Sequence, residues 1–364
     1  MTSTLQQLSD IGVSIWLDDL SRERLETGNL AELVADSAVV GVTTNPAIFQ
    51  GAISNGERYD EQLRGLVAQG LDVNAVVEEL TTTDVRNACD VLHPVYEATD
   101  GVDGRVSIEV TPDLAADAAG TVAQATALWA KVERDNLFIK IPGTPEGCQA
   151  ISETLAAGIS VNVTLIFGLD QYNEVMQAYI DGLERAAANG HDLSTIHSVA
   201  SFFISRVDTE IDKRLGDDSS LAGKAGIANA RLAFQAFEEF FSGPRWDALA
   251  AQGARLQRPL WASTGVKNPD YDDTMYVIDL AVDGTVNTMP EKTMDAVRDH
   301  GAVKGDQVHG HYDEAAAILA ELKDAGIDYD DVIELLICEG VEKFVVAWDD
   351  VLKTVSGRMD EARG

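Results

Sequence analysis

Eight short runs rich in β-branched residues recur along the chain, and most of the gaps between them carry a helical period. The runs are VSIWLDD from Val13, VVGVTTNP from Val39, VSIEVTP from Val106 and LFIKIPG from Leu137, followed by ISVNVTLIFG from Ile159, HSVASFFISR from His197, PLWASTGVK from Pro259 and GTVNTMP from Gly284. Each is bounded by Gly, Pro or Asp and is short enough for a buried strand. Segments such as AADAAGTVAQATALWAKVE from Ala115 repeat apolar residues at helix spacing. Eight alternations of strand and helix predict an α/β protein, a (β/α)8 barrel of the TIM type rather than an open doubly wound sheet. No GxGxxG or P-loop glycine motif follows the first run, which counts against a dinucleotide-binding sheet. The 364 residues, 45% of them apolar, suffice for one large core. They are expected to form a single barrel domain over residues 1 to 364, with a helical insertion at about 52–104 and a helical tail at about 291–364. The stretch from Asp295 to His311 carries Gly301, Gly305 and Gly310 and is expected to be a loop over or beside the barrel mouth.

Side chains alternate faces along a strand, so the runs also predict what points where. Val13, Ile15 and Leu17 oppose Ser14, Trp16 and Asp18; Val106, Ile108 and Val110 oppose Ser107 and Glu109. Leu137, Ile139 and Ile141 oppose Phe138 and Lys140, and Val161, Val163 and Leu165 oppose Asn162 and Thr164. In a barrel the apolar face meets the helices. Asp18, Asn45, Glu109, Lys140, Asn162, Thr164, Ser201 and Ser263 are therefore expected to point inward, most of them near the C-terminal strand ends where barrel enzymes carry out their chemistry.

Of the ten lysines, only Lys140 lies mid-strand between apolar neighbours. An ammonium loses its hydration there, so burial favours the neutral amine, and a free lysine near pKa ~10.4 needs such a depression to attack carbonyls at neutral pH. A nucleophilic amine forming a Schiff base is one reading; a buried ion pair with Glu109 or Asp18 is the other. Schiff-base chemistry also needs proton donors and acceptors, and Asp18 and Glu109 approach from different strands. Asn45, Asn162, Thr164 and Ser201 can bind hydroxyls without adding charge, although an inward Asn or Ser is often simply a satisfied core group.

Charge narrows the partners. Lysine and arginine number 27 against 61 acidic residues, a net −34 that repels nucleic-acid backbones and anionic membranes. An anionic substrate must find cations gathered at its site. Arg206 ends the sixth run and Lys267 follows the seventh, with Ser263 nearby, where barrels commonly bind phosphate; a surface salt bridge is the other reading for either cation. No metal is expected: His93, His191 and His300 fall outside the strand mouths, His197 begins its strand at the wrong end, and the His309/His311 pair lacks a third ligand. Cys89, Cys148 and Cys338 make neither a metal spacing nor an even disulfide set, and MTSTLQQLSD lacks a basic, then apolar, leader. A cytoplasmic enzyme is expected.

GVTTNPAIF at Gly41, SIEVTP at Ser107, FIKIPGT at Phe138, VNVTLIF at Val161 and VASFFISRVD at Val199 together resemble the transaldolases of the pentose phosphate pathway, class I Schiff-base enzymes. The resemblance spans residues 13 to 290, and the tail is similar to that of the longer subclass. It implies Lys140 as the Schiff-base lysine, Glu109 as a water-linked acid/base, Thr164 as the holder of that water and Asp18 as the group that handles the substrate's C4 hydroxyl. It further implies that Asn45, Asn162 and Ser201 bind the dihydroxyacetone unit or hydroxyls, and that Arg206 binds phosphate. Ser263 fits a second phosphate ligand. STGVKN replaces a shorter run that carries another arginine, and Lys267 is left to take its part. The implied substrates are sugar phosphates, with no cofactor, in a monomer or homodimer. Related fructose 6-phosphate aldolases resemble this site with Gln and Tyr where Glu109 and Phe203 stand.

Overall fold

A computed structural model describes residues 2–54, 56–216 and 220–363. All eight runs form strands: β1 Ser14–Leu17, β2 Val39–Val42, β3 Arg105–Glu109, β4 Leu137–Pro142, β5 Val161–Ile166, β6 Ser198–Phe203, β7 Gln257–Ala262 and β8 Val286–Met289. They pair in parallel in chain order, and β8 closes onto β1, making a closed eight-stranded barrel inside a ring of helices. The outward residues Ile15, Val106, Ile139, Val161 and Val163 are all fully buried against those helices. Removing one such side chain from water contributes about 1.5–3 kcal/mol, and the shared apolar face is what holds strand register.

The interior is filled in layers. At the N-terminal end Asp103 accepts from Ser14 Oγ at 2.7 Å, Trp16 Nε1 at 3.0 Å and Arg258 at 3.0 Å, a polar plug. Above it Trp16 packs on Phe138 with ring centroids 6.1 Å apart. A Cβ added at Gly41 would lie 2.5 Å from the Trp16 ring, so only glycine lets β2 pass this indole. Higher still, Asn162 donates to Ser107 Oγ at 3.0 Å and accepts from Ser201 Oγ at 2.7 Å.

Two expectations need correction. Leu165 does not join the outward face of β5. Its φ of 57° is left-handed and coincides with a register irregularity between Val163 and Ile166. Alternation breaks there, and Leu165 packs instead with Phe167 and with Ile333 and Leu336 of the tail. The second correction concerns Asp295 to His311. Residues 291–300 continue a helix, Glu291–His300, which runs antiparallel to β8 and delivers the chain to the opposite end of the barrel. There Gly301 O accepts from Thr4, and Gln307 N donates to Ala281 O just before β8. The loop therefore lies at the N-terminal end, away from the mouth.

The mouth is crossed instead by the 35-residue helix Tyr329–Arg363. Tyr329 Oη anchors its start by donating to Asn229 at 2.6 Å. Gly340 lets it pass Leu165, whose Cδ2 would be 3.0 Å from an added Cβ. Val351, Val355 and Met359 are buried in the main core, and Arg358 pins the far end to Asp60 and to the carbonyls of Ile53 and Gly56. Among the described residues, no helix is long and apolar enough to cross a membrane.

Candidate functional site

A cavity of about 170 Å³ opens at the C-terminal end of the barrel, walled by Asp18, Thr43, Asn45, Lys140, Thr164, Ser201, Phe203, Arg206, Ser263 and Lys267, among others. Strand parity delivers most of these groups: Asp18 directly follows β1, Lys140 lies in β4, Thr164 in β5, and Ser201 and Phe203 in β6. Lys140 is 5% exposed, and its Nζ donates to the carbonyl of Thr44 at 2.9 Å and lies 3.5 Å from Glu109 Oε2. The ring of Phe344, from the tail helix, faces the same amine with its centroid 5.7 Å away. An amine so enclosed is reached through the cavity.

Burial dominates the acids. Desolvation raises Glu109 from an ordinary 4.5 to about 7, against the pull of the neighbouring Lys140. Asp18 is raised as well, chiefly by burial, with Lys140 and a 2.8 Å hydrogen bond from Thr43 Oγ1 acting the other way. A carboxyl near neutrality can both give and take a proton at physiological pH. Two acids on different strands thus flank one amine.

At the rim, the guanidinium of Arg206 rests 5.0 Å over the Phe203 ring. Burial lowers its pKa, while Asp18, Glu339 and Glu109 pull it back. Its Nη1 is buried without a hydrogen-bond partner among the described residues, as is Thr164 Oγ1. A buried donor without a partner costs free energy until something fills the role, and both residues line this cavity, where a bound group can do so. Arg206 belongs to the first turn of the helix Ser205–Leu215, whose N-terminus follows β6 and favours anions. Ser263 sits alongside with φ 54°, and its Oγ is 2.9 Å from Ser205 Oγ. A non-glycine residue held left-handed at a strand end is a strain commonly kept at functional sites. Lys267 is exposed at the same rim, a second cation beside the buried one.

Not every expected residue touches this cavity. Asn162 stands behind the wall, its amide engaged by Ser107 and Ser201. Glu109 reaches Lys140 but opens onto an adjoining chamber, which Asn45 also lines. Asn45 spends its Oδ1 on the amide of Ile48 at 3.1 Å, capping the helix Pro46–Ser54. The wall also holds residues that the sequence reading did not name, among them Thr43, Thr288 and Phe344. Thr43 and Thr288, joined by a 2.7 Å hydrogen bond, continue the inward parity of β2 and β8 and were within its reach. Phe344 was not, because helical periodicity carries no sign that this turn meets a strand end. At the far end of the barrel His309 lies 2.8 Å from Glu238 and His311 lies 3.0 Å from Glu314.

The sequence profile of the Transaldolase/Fructose-6-phosphate aldolase family matches residues 15–355. The chain is 58% identical to a transaldolase of Thermobifida fusca over 99% of both proteins. It is 59% identical to one from Arthrobacter sp. (strain FB24), covering all of this chain and 99% of that one. A transaldolase of Mycolicibacterium smegmatis is 57% identical over 99% of this chain and 98% of its own length. With matches of this extent, the chain belongs to the transaldolase/fructose-6-phosphate aldolase family.

Proposed function

We infer that the chain is a transaldolase, which moves a dihydroxyacetone unit from sedoheptulose 7-phosphate to glyceraldehyde 3-phosphate and yields erythrose 4-phosphate and fructose 6-phosphate. The observation that carries this reading is the enclosed Lys140 amine, 3.5 Å from an acid raised to about 7, in a cavity whose rim offers an unpartnered guanidinium.

Lys140 Nζ adds to the ketose C2 carbonyl. Protonated Glu109 gives its proton to the C2 oxygen, which leaves as water, so that an iminium and a carboxylate remain. Thr164 Oγ1 supplies the free hydroxyl that orients this water. Asp18 takes the proton of the C4 hydroxyl as the C3–C4 bond breaks; the electron pair moves into the iminium, and an enamine stays on Lys140 while the aldose departs. The enamine carbon attacks the second aldehyde, whose oxygen recovers the proton from Asp18. Water then adds back to release the new ketose. Asn45 and Ser201 bind the three-carbon unit, with Asn162 steadying Ser201. Arg206, Ser263 and Lys267 receive the phosphate. No cofactor enters any step.

Transfer rather than aldol cleavage is favoured by Glu109 and by Phe203, a ring without a hydroxyl, packed 5.1 Å from Phe167 between centroids. One chain supplies every group named, consistent with work as a monomer or homodimer in the cytoplasm, where the unpaired Cys89, Cys148 and Cys338 stay reduced. Borohydride reduction with fructose 6-phosphate, followed by peptide mass mapping, tests the assignment. A dihydroxyacetone-derived adduct on the peptide containing Lys140 is expected, and its absence would overturn the mechanism.

A further inference from the structure

Behind the reaction cavity lies a second, larger chamber of about 440 Å³. Its walls come from the end of β3, the helices Val73–Ala98 and Ala118–Val132, and the tail helix, which contributes Trp348, Asp349 and Leu352. Asn45 lines both spaces, and Glu109 forms the partition: its carboxyl borders the chamber and touches the Lys140 amine at 3.5 Å. Among the described residues, the other titratable groups lining the chamber are Glu78, Asp113 and Asp349, and no basic side chain does. Glu78 is paired with Lys131 at 2.6 Å, and Lys131 itself does not line the chamber. Sugar phosphates, as anions, are repelled from such a space; water and protons are not.

The proposed reaction requires water to move. Each turnover expels one molecule when the carbinolamine of Lys140 becomes an iminium, with the proton coming from Glu109. Another must return when the product iminium is hydrolysed, its proton going back to Glu109. During both steps a sugar phosphate fills the small cavity, and its phosphate end occupies the Arg206 rim. We propose that the acidic chamber is the water and proton route of this enzyme, separate from the sugar-phosphate entrance, with Glu109 relaying the proton at the partition and water passing beside its carboxyl. This rests on the Schiff-base reading above. It divides traffic by charge: anionic sugars use the cationic mouth, and water uses the anionic back door.

The test fills the chamber from two of its walls, with Leu352→Trp on the tail helix and Thr81→Leu on the helix Val73–Ala98. Neither residue touches Lys140, and two independent sites guard against one variant failing to fold. Fructose 6-phosphate labelled with heavy oxygen at C2 is incubated with enzyme in ordinary water, and label loss is followed alongside borohydride trapping. Both variants are expected to trap the normal amount of adduct and keep the KM for fructose 6-phosphate. Label loss and kcat are expected to fall about tenfold as water passage becomes limiting. Normal trapping with undiminished label loss in a folded variant would overturn the proposal alone. Failure of the unmodified enzyme to form any adduct at Lys140 would overturn the Schiff-base reading and the proposal together.

Discussion

Replacing Glu109 with Gln is expected to remove most of the transfer rate and yet leave a more stable protein at alkaline pH. The carboxyl is 6% exposed, and burial raises it from 4.5 to about 7 even with Lys140 beside it. Below 4.5 the group is protonated both folded and unfolded, and stability owes nothing to its titration. As pH rises through the window from 4.5 to about 7, the unfolded chain ionises while the folded one keeps its proton, so stability is progressively lost. At about 1.4 kcal/mol per pH unit, the complete loss is about 3 kcal/mol. The attraction of Lys140 is already contained in that figure, since it is one of the causes of the folded value. Gln cannot ionise and escapes the loss. Urea unfolding near pH 5 and near pH 8.5 should therefore show the variant's advantage growing by about 2 to 3 kcal/mol between the two conditions. The coupled transfer assay should show a fall of about 10²- to 10⁴-fold, the usual range for a lost general acid/base. An advantage that does not grow with pH would refute the raised carboxyl; an undiminished transfer rate would refute its role.

Phe203→Tyr places a phenolic proton in the cavity and is expected to raise free dihydroxyacetone release at the expense of transfer, read by a dihydroxyacetone-coupled assay; no gain would refute the site map. Arg206→Gln is expected to cut kcat/KM for phosphorylated ketoses by about 10- to 100-fold, the worth of a charged hydrogen bond, and to leave the slow cleavage of free fructose unchanged. Equal losses on both substrates would remove Arg206 from the phosphate site. At the opposite end, Asp103→Ala leaves Trp16 Nε1 without its acceptor and Arg258 without its counter-ion, although Arg258 keeps Ser14 Oγ and the Val102 carbonyl. It should lower stability by about 3 kcal/mol in thermal or urea unfolding while kcat at low temperature stays normal; a matching loss of kcat would tie the plug to catalysis.

Much of this site was legible because a parallel barrel converts sequence parity into geometry. Lys140 and Phe138 alternate with Leu137, Ile139 and Ile141, and the closed sheet turns that alternation into inside and outside. The same rule reaches Asp18, Thr164 and Ser201 without any distance being known. It stops at Leu165, where a left-handed residue shifts the register, since period-two arguments assume an unbroken strand. It also cannot say how deep a group sits along the barrel axis. Asn162 pairs with Lys140 across β4 and β5, yet stands behind the cavity wall rather than on it.

The chain's own order of residues determined the eight strands, their inward polar groups and the lysine set among apolar neighbours, because these depend on local periodicity. What depends on contacts distant in sequence was decided only by the tertiary structure. Phe344 meets the Lys140 amine across 204 positions of chain, carried there by a helix whose period reveals a buried face but not its partner. The glycine-bearing loop that follows Glu291–His300 lies at the far end for an equally nonlocal reason, the antiparallel return of that helix. Glu109 owes its value of about 7 to burial that no neighbour in sequence supplies. Its position between a cationic mouth and an acidic chamber likewise arises only when β3, two helices and the tail close around it.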